Sequence, residues 1–172
     1  KAWGFLRRGI DDDEEDAPQM ALSGILSGVT GVYMVAAELS RRGFIASITF
    51  RNTEGIDILT SDPKASRPVG IQVKTAQNRK RTWVLNQHAE GYHAPNLFYV
   101  FVDLKRIDGR ADFFVVPSSV VAAFIADFHR DWLKKLGRSG RPHRDTTFRT
   151  FKDPDGKYLN RWDLLGGVKP DA

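Results

Sequence analysis

The chain contains no cysteine among its 172 residues. This absence excludes disulfide bonds and every zinc site that uses thiolate ligands. Of the four histidines, His88 and His93 are the nearest pair, five residues apart. A zinc site would need further ligands that their neighbourhood lacks, so the pair does not predict one. We expect His129 on a helix surface and His143 in a basic tail.

Long hydrophobic runs are also missing. No stretch approaches the roughly 18 apolar residues that a membrane-spanning helix requires, and no signal-peptide pattern is present. The chain has no Gly-x-Ser-x-Gly elbow, no Walker phosphate loop and no Rossmann fingerprint. The hydrophobic fraction of 41% is sufficient for a packed core, and the length favours one domain. We therefore expect a cytoplasmic globular protein.

Acidic residues are scarce outside one short segment. Residues 1–16 contain six acidic side chains, all within the run Asp11 to Asp16, and three basic ones. The other residues have 23 basic and 15 acidic side chains, a net charge of +8, against +5 for the whole chain. A basic domain attracts polyanions, and nucleic acid is the usual one. Many basic proteins bind no nucleic acid, so charge alone does not define a site.

The acidic run marks a change of character along the chain. Six like charges in a row repel one another and usually stay solvated. We therefore predict that residues 1–19 form an N-terminal extension and that residues 20–172 form one domain. An acidic arm that masks a basic groove is the alternative role for the extension.

Hydrophobic periodicity predicts a helix followed by three strands. Val32, Val35, Ala36 and Leu39 have the spacing of one buried helical face, and Gly43 is a natural stop. This pattern predicts a helix over residues 22–42. The predicted strands are Ile45 to Arg51, Gly55 to Leu59 and Val69 to Thr75, with a hairpin turn over residues 61–68.

The second half of the domain has a similar alternation. The apolar run within residues 96–103 predicts a strand that is buried on both faces, and residues 112–117 predict another. A helix starts near Pro117 and carries an apolar stripe up to a stop at Gly137. The tail that follows mixes arginines with aromatic residues and is predicted to be irregular. We expect its aromatic residues to pack on the sheet and its arginines to face the solvent, in preference to a DNA groove. The order of elements predicts an α/β fold with a central mixed sheet flanked by helices.

Three polar residues stand out on the second and third predicted strands. Because side chains alternate across a strand, Ile71 and Val73 face the core while Gln72 and Lys74 share the other face. On the preceding strand, Ile56 and Ile58 share one face in the same way, with Asp57 between them on the other. The hairpin can bring Asp57 opposite Gln72 and Lys74. A surface hairpin with ordinary polar residues is the alternative interpretation.

This set of groups suits phosphodiester hydrolysis. Magnesium prefers hard oxygen ligands; the Asp57 carboxylate, the Gln72 side-chain oxygen and the Val73 backbone carbonyl are the candidate ligands. A bound Mg²⁺, or Mn²⁺ in its place, polarises a phosphate and acidifies its bound water. Lys74 would orient that water and stabilise charge on the phosphate.

The order of these motifs resembles the PD-(D/E)xK nuclease superfamily, which includes restriction enzymes and archaeal Holliday-junction resolvases. The resemblance rests on a helix ending at Arg42-Gly43-Phe44, then Asp57, then Gln72-Val73-Lys74. The Gln is similar to the Mrr-like variant, and small bacterial members of the superfamily share the context. The resemblance implies a restriction-endonuclease-like core and a metal-dependent DNA endonuclease with Asp57, Gln72 and Lys74 as catalytic residues.

One position departs from that pattern. Such families often have a Glu after a Gly on the first helix, and here Val32 follows Gly31. Glu38 is six residues further on, about 240° round the helix, so we do not expect it to substitute. The missing carboxylate leaves a second hypothesis open: a catalytically degenerate module that binds DNA or a protein in a defence or repair assembly.

Basic residues near the third strand are the candidate DNA contacts. Arg79, Lys80 and Arg81 follow the strand directly, and Arg51 ends the first strand. We expect them to contact phosphates, with a solvated turn as the alternative. DNA is the expected partner, while a homodimer and a partner subunit remain compatible with the sequence.

Overall fold

The computed structural model describes residues 22–49, 55–77, 80–104, 109–137 and 139–166. None of the helices in these ranges is long and apolar enough to cross a membrane. In chain order the elements are α1 (Gly24–Arg41), β1 (Ile45–Ile48), β2 (Ile58–Ser61), β3 (Val69–Ala76), β4 (Thr82–Asn86), a 3-10 turn (Gln87–Glu90), β5 (Leu97–Asp103), β6 (Asp112–Pro117), α2 (Ser118–Leu133), β7 (Phe148–Lys152) and a second 3-10 turn (Trp162–Leu165).

Helix α1 begins and ends at local sequence signals. The Ser23 hydroxyl accepts a hydrogen bond from the Leu26 N–H at 3.2 Å, which satisfies one of the unpaired amides of the first turn. At the other end, Gly43 has a φ of +82°, a conformation that side chains disfavour. Val35 and Leu39 are fully buried. The predicted helix and its buried face are therefore confirmed.

A five-stranded mixed sheet forms the centre of the domain, in the order β1-β2-β3-β5-β6. Strands β3 and β5 are parallel, and the other neighbours are antiparallel. Strand β5 is buried along its whole length, as its continuous apolar run predicts. The turn predicted over residues 61–68 is confirmed, since it connects the antiparallel pair β2 and β3.

Two hydrophobic cores cover the two faces of this sheet. The odd-numbered residues of β3 face α1, and the even-numbered residues of β5 lie on the same face of the sheet. The core on the α1 side contains Val35, Leu39, Phe44, Ile58, Val69, Ile71, Val73, Phe98, Val100, Val102, Phe113, Val115, Trp162 and Leu165. The core on the α2 side contains Trp83, Leu85, Ala89, Tyr99, Phe101, Phe114, Val116, Val121, Ile125 and Phe151.

A second sheet, which the sequence did not predict, packs on the α2 side. Strand β4 pairs with β7 in antiparallel register, Trp83 opposite Phe151. The partners are far apart in the chain, and nothing local to either segment announces the pairing. The region that we expected to be an irregular tail therefore contributes a strand and a buried aromatic ring.

Three predicted boundaries were wrong. Strand β1 ends at Ile48, before the expected Arg51, which lies outside the described residues. Strand β2 begins at Ile58 rather than at Gly55. Helix α2 ends at Leu133, before Gly137.

Two side chains that we expected at the surface are buried. His129 on α2 contacts the Asp145 carboxylate through Nε2 at 2.7 Å. Arg149 on β7 is buried and pairs with Glu90. Each is tolerated inside because a carboxylate from another part of the chain bonds its buried nitrogen.

Candidate active site

The candidate site lies where strands β2 and β3 separate. Strand β2 pairs with β3 only from Ile58 opposite Ile71 to Thr60 opposite Val69. Strand β3 continues to Ala76, paired on its other side with β5. In the described part of the chain, β2 therefore leaves the β3 edge uncovered from Gln72 onward. We call this place the β2/β3 fork.

Asp57 occupies the fork. Its backbone N–H donates to the Ile71 carbonyl at 2.8 Å, and its own carbonyl accepts from the Thr49 N–H at 3.0 Å. Its carboxylate oxygen Oδ2 accepts a hydrogen bond from the Val73 N–H at 2.7 Å. The side chain thus takes the place of the next backbone carbonyl of β2. A hydrogen bond to a charged acceptor contributes about 1.5–3 kcal/mol, so the carboxylate is held firmly at this edge.

A glycine allows the chain to enter the fork. Gly55 has a φ of +74°, and the ring of Tyr92 covers the position that a side chain would need. A Cβ atom at Gly55 would lie 2.5 Å from Tyr92 Cε1. Both the backbone angle and the close approach require glycine, and together they fix the path into Asp57.

The Val73 backbone presents a second oxygen to the fork. In a β-strand the N–H and C=O of one residue point toward the same neighbouring strand. Because the Val73 N–H bonds the Asp57 carboxylate, its carbonyl is directed to the same uncovered edge. The carboxylate and this carbonyl are the oxygen pair that we predicted as metal ligands.

Gln72 and Lys74 flank this pair along β3. They are opposite Tyr99 and Phe101 of β5 in the parallel register, so their side chains share the α2 face of the sheet. Both are half-buried, and no hydrogen bond or ion pair joins either side chain to another described residue. The prediction that Gln72 and Lys74 share one face of β3 is therefore confirmed.

The flanks of Asp57 differ from the prediction. Ile56 and Ile58 were expected on one face, but Ile56 packs over Gly70, on the opposite face from Ile58. The alternation breaks at Asp57, because its side chain turns to the edge of β3. A bond to a strand N–H lies roughly in the plane of the sheet, so the carboxylate adjoins both faces at the fork.

A cavity of about 330 Å³ adjoins Asp57 on the α1 side. Among the described residues that line it, Asp57 is the one acidic residue, and most of the others are apolar. The lining residues are Gly24, Ile25, Gly28, Val29, Val32, Tyr33, Ile48, Thr49, Ile56, Asp57 and Val73.

Val32 therefore stands in the same cavity as Asp57, where the resemblance leads us to expect a glutamate. Glu38 does not line this cavity. Its carboxylate pairs with Arg41 at 2.7 Å and with Arg42. The expectation that Glu38 does not substitute agrees with this geometry.

Sequence reasoning missed Tyr33 and Thr49 as lining residues of the cavity. For Tyr33 a signal was available, because Ile25, Val29 and Tyr33 are spaced four residues apart and share one helical face. Thr49 gave no local signal; it enters the site because its backbone amide bonds Asp57.

The donor set fits a weakly held magnesium ion. Among the described residues, no group of three or more His, Asp or Glu side chains is assembled as a metal site. The Asp57 carboxylate, the Val73 backbone carbonyl and the Gln72 side-chain amide remain as candidate ligands. Magnesium is often bound by one or two carboxylates, water and substrate phosphates. The residues at the fork suit that mode, in which the substrate completes the coordination.

The predicted DNA contacts are only partly covered by the structure. Arg51 and Arg79 lie outside the described residues, and Lys80 is exposed. Arg81 donates from Nη1 to the Pro154 carbonyl at 2.8 Å and lies over the Phe114 ring. Arg81 therefore has a structural role at the start of β4.

Comparison with known proteins gives a match at the level of fold. No protein-family model matches the chain, and no curated protein matches its sequence. A bacterial homing endonuclease, I-Ssp6803I, aligns with 84% of this chain and 92% of its own at 14% identity, with a TM-score of 0.52. Hjc, a Holliday junction resolvase from Archaeoglobus fulgidus, aligns with 83% and 90% at 13% identity, with a TM-score of 0.39. The likeness to the homing endonuclease is one of fold. The chain has a mixed α/β fold with a central mixed sheet flanked by helices, as the sequence predicted.

Proposed function

We propose that this protein is a metal-dependent endonuclease that hydrolyses phosphodiester bonds in DNA. The observation that supports the proposal best is the hydrogen bond between the Asp57 carboxylate and the Val73 amide. It holds an anionic oxygen ligand at the β2/β3 fork, between the positions of Gln72 and Lys74. The fold shared with a homing endonuclease adds to its plausibility.

Each residue of the fork has a distinct role in the proposal. Asp57, Gln72 and the Val73 carbonyl hold Mg²⁺ or Mn²⁺. When bound, the metal polarises the scissile phosphate and acidifies a water molecule. Lys74 orients the attacking water and donates a hydrogen bond to a phosphate oxygen, and so stabilises the negative charge that develops as the water oxygen bonds phosphorus and the P–O bond to the leaving oxygen breaks. The water releases its proton to solvent, and the leaving oxygen takes a proton from solvent.

A cleavage assay on supercoiled plasmid tests this proposal. Asp57→Asn keeps an acceptor for the Val73 amide but removes the charge, whereas Asp57→Ala removes both. We expect both variants to lose cleavage. Asp57→Ala should lose about 1–3 kcal/mol of stability, and Asp57→Asn, which keeps a neutral hydrogen bond, should lose less. Lys74→Ala lowers the rate on the order of 10²–10⁴-fold.

Two exposed residues of the α2 region provide matched controls. Asp131→Asn removes a carboxylate that pairs with Lys134 at the surface, and Lys135→Ala removes an exposed ammonium group. Both controls should cleave at the wild-type rate. Cleavage by Lys74→Ala protein at that same rate would contradict the mechanism.

A second candidate function is a DNA-binding module without catalysis. It is favoured by one observation: Val32 lines the cavity beside Asp57, so the α1 wall has no carboxylate there. This candidate predicts DNA affinity that falls with salt concentration and no cleavage in any divalent metal.

Val32→Glu distinguishes the reasons for inactivity. If wild-type protein binds DNA without cutting it, the new carboxylate beside Asp57 should create metal-dependent cleavage. Ala37→Glu, which adds an acid to the exposed side of α1, should not. An inactive Val32→Glu protein would show that loss of this carboxylate is not the sole cause.

A further inference from the structure

Strands β4 and β7 form a two-stranded ribbon with two different faces. The inward face holds Trp83, Leu85, Arg149 and Phe151, all buried. The alternation of side chains places the other residues outward. The outward face consists of three opposed pairs: Thr82 with Lys152, Val84 with Thr150, and Asn86 with Phe148.

The inward face anchors the ribbon rigidly. The Trp83 indole N–H donates to the Val102 carbonyl at 2.9 Å. Its ring lies 5.0 Å from that of Phe101 and 5.1 Å from that of Phe114, while Phe151 stacks on Phe101 at 4.5 Å. The outward residues are therefore presented on a fixed support, and a fixed support favours selective recognition.

The outward face leaves two large apolar side chains in contact with solvent. Phe148 is 67% exposed and Val84 is 61% exposed. Lys152 is also exposed, with its ammonium group 4.7 Å from the Phe128 ring centroid. Val84 is the diagonal neighbour of both Phe148 and Lys152 across the two strands. The two apolar side chains and the cation therefore form one continuous patch on a rigid face, which indicates a binding surface.

The charge around the ribbon favours a polyanion as the partner. Residues 80–86 and 148–158 contain five basic and two acidic side chains, but Arg149 is buried and pairs with Glu90. The exposed ones are Lys80, Lys152 and Lys157 against Asp155, a net charge of +2. One of the two acids, Asp153, is buried, and its oxygens accept from the Lys157 and Tyr158 amides. The outward face itself has no acidic residue.

The chemistry of the outward face matches the edges of DNA bases. Lysine bonds guanine, asparagine bonds adenine, threonine bonds several bases, and threonine or phenylalanine contacts the thymine methyl group. A two-stranded ribbon fits the major groove, which is about 12 Å wide. A ribbon five residues long spans roughly 17 Å, enough to follow part of the groove.

The ribbon lies on the same face of the central sheet as Gln72 and Lys74. Lys74 is opposite Phe101 in the parallel register, and Phe101 contacts Trp83 of the ribbon. A duplex on the outward face would thus lie on the same side of the central sheet as these two side chains.

We propose that the outward face of the β4–β7 ribbon is the DNA-reading surface of this protein, inserted into the major groove. The proposal rests on the proposed nuclease function and specifies its substrate as duplex DNA that is selected by sequence. Lys152, Thr150 and Phe148 supply the base contacts, and Val84 excludes water between them.

A binding assay without cleavage tests this surface. Fluorescence anisotropy in EDTA measures the affinity of each protein for a labelled pool of random-sequence duplexes. The proteins are wild type, Lys152→Ala, Phe148→Ala, and a triple variant that combines these two changes with Thr150→Ala. Lys135→Ala and Leu136→Ala are the matched controls, since Leu136 is 66% exposed away from the ribbon. Melting temperatures verify that each variant is folded.

We expect the triple variant to bind selected duplexes at least tenfold more weakly, with both controls unchanged. Repeated selection from the pool should enrich a sequence motif with wild type but not with the triple variant.

Ribbon variants that bind and select DNA as wild type does would overturn the inference and leave the nuclease proposal standing. Loss of a protein partner with unchanged DNA affinity would also overturn it. A wild type that binds no duplex yet cleaves single strands would refute the surface alone, whereas one that neither binds nor cleaves DNA would refute both proposals.

Discussion

The contact between Gly31 and Thr75 provides a quantitative test of how α1 is placed against the sheet. Gly31 is buried in the middle of α1. A Cβ atom there would overlap the Thr75 hydroxyl oxygen and lie 3.2 Å from Thr75 Cβ. This close approach brings the next residue, Val32, to the wall of the cavity that Asp57 lines. Gly31→Ala should therefore force α1 and β3 apart or displace the Thr75 side chain.

The expected cost is a balance of two terms. Overpacking a core costs about 1–3 kcal/mol, while replacing glycine with alanine inside a helix gains about 1 kcal/mol. Gly31→Ala should thus lower the free energy of unfolding by up to about 2 kcal/mol. Thr75→Ala alone should be nearly neutral, because the buried hydroxyl has no hydrogen-bond partner among the described residues.

A double-mutant cycle isolates the contact. Urea denaturation of wild type, Gly31→Ala, Thr75→Ala and the double variant gives the coupling energy. Thr75→Ala removes the overlap with the hydroxyl but keeps the 3.2 Å approach to the residue 75 Cβ, so Gly31→Ala should cost less in the Thr75→Ala background than in wild type. A coupling energy near zero would refute the close packing of α1 on β3.

Two further predictions concern buried and titrating groups. The Tyr99 hydroxyl is buried without a hydrogen-bond partner among the described residues, and burial, with a smaller effect of Tyr92, raises its pKa to about 12. Tyr99→Phe should raise the stability by roughly 1 kcal/mol, and the tyrosinate absorbance at pH 10.5 should be the same in the variant as in wild type. A destabilised variant would contradict this. The His129 ring lowers the pKa of Asp145 through a hydrogen bond. A depressed carboxyl pKa stabilises the fold above the ordinary value of 3.8, and the effect is lost as the pH falls through the folded pKa. The melting temperature of wild type should therefore exceed that of Asp145→Asn at pH 5, and the difference should shrink as the pH falls below 3.8; a constant difference would exclude the linkage.

Local patterns were sufficient for the elements of the central sheet. The spacing of Val35 and Leu39 predicted the buried face of α1, and the continuous apolar run from Leu97 predicted a strand covered on both sides. These patterns are informative because each element must bury one face or two, and burial fixes the period of its apolar residues.

The second sheet could not be predicted in the same way. Trp83 and Phe151 come together only when the tail returns to the central sheet. Each strand has five residues, and a short apolar alternation in a basic segment does not identify its partner. Long-range pairing of this kind is decided by tertiary packing, not by local propensity.

The site shows the same division between local and tertiary information. Alternation along β3 was enough to give Gln72 and Lys74 one face. It was not enough to place Asp57, because its side chain replaces a backbone carbonyl at the fork and so breaks the period of β2. The buried positions of His129 and Arg149 were missed for a related reason: their acidic partners, Asp145 and Glu90, lie on other elements.

The central claim is that Asp57 holds the metal on which DNA cleavage depends. The most direct test is a titration of Mg²⁺ against the rate of plasmid cleavage, with wild type beside Asp57→Asn, which keeps an acceptor for the Val73 amide. We expect the wild-type rate to rise and saturate with Mg²⁺, and the variant to stay at the background rate at every concentration. Equal rates for the two proteins, or cleavage that persists in EDTA, would contradict the account.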